Sequence, residues 1–223
     1  MKILHFSAVS VVGVSLLAVS AAAQMAIPQP TPILPIPMPS IHLKVLRIST
    51  MWQETPQWCW AASGQMVMNY IGAQYIPPNV PQCYEANQEF GRTDCCTCPT
   101  PATCVSPGWP QFDKWGFTSD TTAWGTALLW NDLVAQIDSE KPFMFSWEWN
   151  GGGGHAMVVK GYSTIGANKW VIVANPWGPQ GRCGPGGDAS GPFGGHIDID
   201  TYAAFVSGTT YTHGADVYNV AHK

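Results

Sequence analysis

Charge is scarce in this chain. Only 11% of its 223 residues are Asp, Glu, Lys or Arg, and the net charge is −4. So little cationic surface gives a phosphate backbone nothing to bind, and no nucleic acid partner is expected. Long apolar runs are missing too. The run Ala8–Val19 is broken by two serines and a glycine, and it is shorter than the roughly 20 residues of a spanning helix. Lys2 before it and Ala21-Ala22-Ala23 after it give residues 1–23 the form of a secretory signal peptide cut before Gln24. No cysteine stands at the cut to accept a lipid, so no membrane association is expected once the signal is removed. The expected localisation is secreted or periplasmic. No internal repeat is present.

Prolines 28, 30, 32, 35, 37 and 39 remove backbone donors and favour an extended conformation, so residues 24–44 read as a proline-rich linker or a short pro-segment. Residues 45–223, roughly 180 in number, suffice for one domain with a real core. Eleven tryptophans and 23 glycines indicate a turn-rich body with many aromatic contacts, expected to be a monomer.

There are seven cysteines, and an exported chain permits disulfides. With Cys59 set aside, Cys83, Cys95, Cys96, Cys98, Cys104 and Cys183 form an even set of disulfide candidates. Their connectivity is open among about 15 pairings, although adjacent Cys95 and Cys96 are poorly placed to bond each other. Zinc is the rival reading for the Cys95–Cys104 cluster. It lacks a second C-x-x-C pair and a nearby histidine, so no metal and no cofactor is expected. Cys59 is the odd thiol.

Thr55-Pro56 reads as an N-cap followed by proline in the first helical turn. Trp60, Ala61, Gly64, Val67, Met68 and Ile71 then recur at helical spacing until Gly72. Residues 75–109 read as disulfide-pinned loops and 109–115 as a short helix. Residues 131–140 read as an amphipathic helix ended by Pro142. From Phe143 the period becomes two, giving strands over 143–149, 156–162 and 170–174, with a fourth at 209–220. Helices early and strands late predict an α+β fold with two lobes.

A nucleophilic thiol needs a base, and the mature chain offers His42, His155, His196, His213 and His222. His155 follows Gly151-Gly152-Gly153-Gly154 and opens a strand, a rigid mount for a catalytic base. His196 also follows glycines, but opens Ile197-Asp198-Ile199-Asp200, which reads as a surface run. Asn175, at the end of a strand and before Pro176-Trp177-Gly178, can accept the imidazole N–H and hold the tautomer that faces the thiol. Gln53, six residues before Cys59, offers an amide to an oxyanion.

These motifs resemble the papain-like cysteine proteases, more closely their secreted bacterial members. The resemblance rests on Gln53, on Cys59-Trp60-Ala61, on His155-Ala156 opening a strand that reaches Gly161-Tyr162, and on Asn175-x-Trp177-Gly178. It spans roughly residues 51–178, in the family's order. It implies a two-lobed fold whose helical lobe carries the cysteine and whose strand-rich lobe carries the histidine and asparagine. It further implies Cys59 as nucleophile, His155 as general base and acid, Asn175 as orienting partner and Gln53 as oxyanion donor, acting on a protein or peptide substrate. Three positions depart from the pattern. Gln57-Trp58 replaces the usual cysteine before the nucleophile, Pro176 replaces a serine, and the substrate ledge has no clear counterpart beyond Ser106-Pro107-Gly108-Trp109. A papain-type thiol near pH 3–4 lies far below the usual value of about 8.5. A helix N-terminus supplies at most ~2 kcal/mol, so protonated His155 must supply most of such a shift. Two rival classes stand beside an exported cysteine endopeptidase. One is a cysteine-dependent acyl-transfer enzyme or peptidoglycan amidase; the other is a non-enzymatic, disulfide-stapled binding domain.

Overall fold

The computed structural model describes residues 39–72, 81–178 and 195–223. The signal peptide, the proline-rich run as far as residue 38, and Cys183 lie outside the described residues. In chain order the elements are strand β1 (Ile41–Val45), helices α1 (Cys59–Ile71) and α2 (Gln82–Phe90), strand β2 (Phe117–Thr121) and helix α3 (Trp130–Asp138). Strands β3 (Phe143–Trp149), β4 (Gly154–Ile165), β5 (Asn168–Asn175) and β6 (His196–Thr201) follow, then helix α4 (Tyr202–Val206) and strand β7 (Tyr211–His222). The seven strands form one sheet in the order β2-β7-β3-β4-β5-β6, with β1 on β4 beyond the end of β3. Each strand pairing in it is antiparallel. The fold is therefore α+β. A helical part carries Cys59, and the sheet carries His155 and Asn175.

The alternating aromatics of β3 are buried where the strand crosses the core. Phe143 and Phe145 are fully enclosed, as is Met144 on the opposite face. Phe145 meets Phe205 of α4 edge-on and stacks on His213 of β7. Both faces of the first half of β3 are covered, and the strand opens to solvent at Trp149. Helix α1 is buried from Trp60 to Met68, as expected of a helix apolar over most of its surface. It lies against β4, where Ser63 Oγ donates to the Ala156 carbonyl at 3.1 Å.

Three local expectations are corrected. Helix α1 begins at Cys59 with Trp58 as its N-cap, not at Pro56. Thr55-Pro56 instead opens a turn closed by the Trp58 N–H on the Thr55 carbonyl at 3.2 Å, for which proline at the second position is well suited. Within the segment read as loops, Gln82–Phe90 is a helix. Its inward face carries Gln82 and Glu85 beside Cys83 and Ala86, so no apolar stripe announced it. Within 109–115, only Phe112–Trp115 turns, as a 3-10 helix.

Cys83 bonds Cys96 and Cys95 bonds Cys104, pinning α2 to the following loop, and Cys98 is also disulfide-bonded. Cys59 is free. The loop in turn holds the start of α1, because Trp58 Nε1 donates to the Cys104 carbonyl at 2.7 Å.

Glu85 is 0% exposed, and burial pushes its carboxyl up to about 8; the Gln111 N–H opposes the rise and the charge of Glu89 adds to it. A carboxyl that binds its proton more tightly when folded contributes stability in full below its unfolded value of 4.5 and loses it as the pH rises through about 8. The melting temperature is expected to fall between about pH 5 and 8.5, and to fall less in Glu85→Gln. Calorimetry across that window checks this; equal slopes for the two proteins would refute it.

Candidate active site

Cys59 occupies the first position of α1, so the N–H groups of Cys59 and Trp60 reach its thiol together with that of Ala156 on β4. Burial pushes the thiol up, the three N–H groups pull it down, and the carboxylate of Glu148 pushes it up again. The helix start therefore does not produce a thiolate unaided. A thiolate there would need a nearby positive charge.

His155 stands near the start of β4, buried, with Trp147 of β3 as its cross-strand partner. Its Nε2 lies 2.8 Å from Asn175 Oδ1. Asn175 ends β5, and its amide is held on three sides. Oδ1 also accepts the Trp177 N–H at 2.9 Å, and Nδ2 donates to Asp198 Oδ2 of β6 at 2.7 Å. A backbone N–H can only donate, so the Asn175 atom facing His155 is the oxygen. Nε2 therefore carries the proton, and Nδ1 is left as the basic nitrogen. Burial pushes the imidazole down, while Asn175 and the charge of Asp198 hold it up. Trp177 meets the ring edge-on with centroids 5.9 Å apart.

Two cavities flank the pair, and both are lined by Cys59, His155 and Gln57. One, of about 250 Å³, runs between Trp60, Gly108, Trp109 and Glu148. The other, of about 330 Å³, is walled by Trp147, Trp149, Met157, Asn175 and Trp177. Cys59 and His155 thus sit on the divide of a two-sided cleft. Gln53 is fully buried and lines neither cavity. Its N–H donates to the Pro176 carbonyl at 2.8 Å, which ties the approach to Cys59 to the Asn175 loop. Its Nε2 donates to the Thr55 carbonyl at 2.9 Å, using one of two amide protons.

The other histidines are placed elsewhere. His196 pairs with Asn175 across the β5–β6 ladder but is exposed and lines neither cavity. His213 is buried between Asp216 and the Phe205 carbonyl. His42 and His222 are exposed near the chain's described ends. Asp94, Cys95 and Cys104 bring three metal-type donors together, but both sulfurs are spent in the Cys95–Cys104 disulfide.

Sequence reasoning missed Gln57, Glu148 and Asp198. Asp198 alternates with isoleucines on an edge strand, a pattern that reads as solvated surface. Glu148 reads as the polar face of a strand.

The family model described as the Peptidase_C39 like family matches residues 45–183, which contain Cys59, His155 and Asn175. The chain belongs to that family. Membership supports a cysteine peptidase, with proteins or peptides as its substrate class. No curated protein matches the chain. Among solved structures, the mite allergen work described as "Structural basis for the limited antibody cross reactivity between the mite allergens Blo t 1 and Der p 1" supplies a similar chain. The similarity has a TM-score of 0.36 at 11% identity, over 77% of this chain and 67% of that one, and is too slight to argue from.

Replacing Asp198 with Asn keeps the shape and removes the charge. The titration midpoint of His155, followed by NMR of its ring carbons, is expected to fall below that of the parent, since one of its two upward influences is lost. An unchanged midpoint would show that Asp198 does not act on the ring.

Proposed function

We propose that the chain is an exported cysteine endopeptidase, akin to the secreted bacterial members of its wider class, with a single catalytic domain that the pairing of β1 on β4 extends from the expected start at 45 back to Ile41. The observation that carries this reading is the fixed Asn175 amide, which leaves His155 Nδ1 basic in a cleft shared with Cys59. In this mechanism Nδ1 takes the thiol proton and Sγ attacks the scissile carbonyl carbon. The developing oxyanion accepts the Cys59 N–H. Gln53, expected as a second donor, is buried outside both cavities and instead braces the Thr55 turn that leads to Cys59. The imidazolium then protonates the leaving amine as the C–N bond breaks, giving a thioester on Cys59. A water molecule, deprotonated by His155, attacks the thioester, and the returning proton restores the thiol as the acid product leaves. Asn175 holds the imidazole in the productive tautomer throughout.

Disulfides among the described cysteines fit a secreted or periplasmic location, and no described helix is long and apolar enough to cross a membrane. No cofactor or partner chain has a part in the mechanism, and a monomer suffices.

Purified mature protein is expected to degrade casein and to leave purified cell wall intact. Cys59→Ala is expected to lower the rate by roughly 10⁴-fold or more. His155→Ala is expected to abolish alkylation of Cys59 by iodoacetamide near neutral pH. Selective alkylation at the parental rate in that variant would exclude His155 as the base, and cell-wall cleavage without casein cleavage would favour the amidase reading.

A further inference from the structure

The mechanism leaves one carboxylate of the cleft unused. Glu148 pairs with Gly154 across the β3–β4 ladder, one residue from the Trp147–His155 pair, so it faces the opposite side of the sheet from Trp147. It lines the cavity of about 250 Å³ that Cys59 and His155 also border.

Two glycines and a serine lie beside that carboxylate. A Cβ on Gly154 would lie 2.9 Å from Glu148 Oε1, and one on Gly214 would lie 3.0 Å from it. A side chain at Gly154 would meet the Trp147 carbonyl, and one at Gly214 the Ser146 hydroxyl, before either met the acid. Ser146 is buried beside it, and its Oγ accepts the Ala215 N–H at 3.2 Å. That contact leaves the hydroxyl proton free for the Glu148 carboxylate, which it bonds. No lysine, arginine or histidine pairs with Glu148 among the described residues. Burial holds its carboxyl above the ordinary range, with Ser146 opposing. Its charge also adds a small push against ionisation of Cys59, well behind burial. Three indoles line the same cavity. Trp109 and Trp124 lie 6.4 Å apart, and Trp60 is held by its Nε1 on the Ser106 carbonyl.

We propose that this cavity receives the side chain of a lysine or arginine flanking the scissile bond, with Glu148 as the specificity-determining residue. The inference rests on the peptidase reading above. The cationic head meets the carboxylate, and its aliphatic stem lies along the tryptophans. Pairing also removes the small push of that carboxylate against a thiolate at Cys59, whereas an acidic side chain finds like charge in the cavity.

Two measurements test this on the mature protein and on Glu148→Gln and Glu148→Lys. The first is cleavage profiling of a peptide library, with Cys59→Ala as background. The parent is expected to favour Lys or Arg at one position flanking the cut by roughly tenfold or more, with the preference lost in Glu148→Gln and inverted toward Asp or Glu in Glu148→Lys. The second is the rate of Cys59 modification by cationic aminoethyl methanethiosulfonate relative to its anionic sulfonatoethyl analogue. That ratio is expected to fall several-fold in Glu148→Gln, and it requires no peptidase activity. Cys59-dependent cleavage without a basic preference would overturn the inference and leave the peptidase standing. Absence of Cys59-dependent cleavage would overturn the peptidase reading. In that case an unchanged reagent ratio in Glu148→Gln overturns the role of Glu148 as well, and a lowered ratio sustains it as a cation-selecting group at Cys59.

Discussion

The seating of α1 on β4 is the constraint from which the site follows. Ser63 lies one helical turn beyond Cys59 on the same face, and its hydroxyl is bonded to the Ala156 carbonyl in the core. That bond sets the register between helix and strand, which brings the first residue of the helix to the first residues of the strand. The two elements need carry no strain to bring Cys59 and His155 to the same cleft; ordinary packing does so. Because protein interiors are close-packed, a small slide of α1 would be opposed along its whole buried length from Trp60 to Met68.

On this frame the two halves of the cleft do different work. The side bordered by Asn175 and Trp177 governs the proton, because each hydrogen bond to the Asn175 amide leaves its neighbour fewer alternatives. Trp177 fixes the oxygen, the oxygen fixes the histidine proton, and Asp198 secures the other end. The side bordered by Trp60 and Glu148 also borders Cys59 and His155 but includes neither Asn175 nor Trp177. Electrostatics still connects the two sides, since Glu148 acts on the thiol and Asp198 on the imidazole.

Much of this was legible in the sequence because it depends on local pattern. The two-residue period from Phe143 and the strand-opening His155 are signals that a sheet cannot easily disguise. The odd cysteine count singled out Cys59, and Asn175 stood where a strand stops. The rest depended on contacts between distant segments. Helix α2 hides its core face behind Gln82, whose amide bonds the backbone of Trp52 and Glu54, so its buried side chains read as surface. Thr55-Pro56 satisfies the rules for a helix start and for a turn equally well, and only the packing of Trp58 decides between them. Asp198 acquires its setting from the β5–β6 pairing, and Glu148 from Gly154 of the neighbouring strand and Gly214 of the distant β7.

The tie between Trp58 and the Cys104 carbonyl has a consequence for maturation. Cys104 is held by its bond to Cys95, and α2 by the bond from Cys83 to Cys96, while the residue just before the nucleophile leans on that loop. With those thiols reduced, the loop loses its staples and Trp58 loses a fixed acceptor, although the sheet and its histidine keep every contact described for them. Oxidation would then stiffen the segment just before Cys59, whose helix is already seated on β4 by its own buried face.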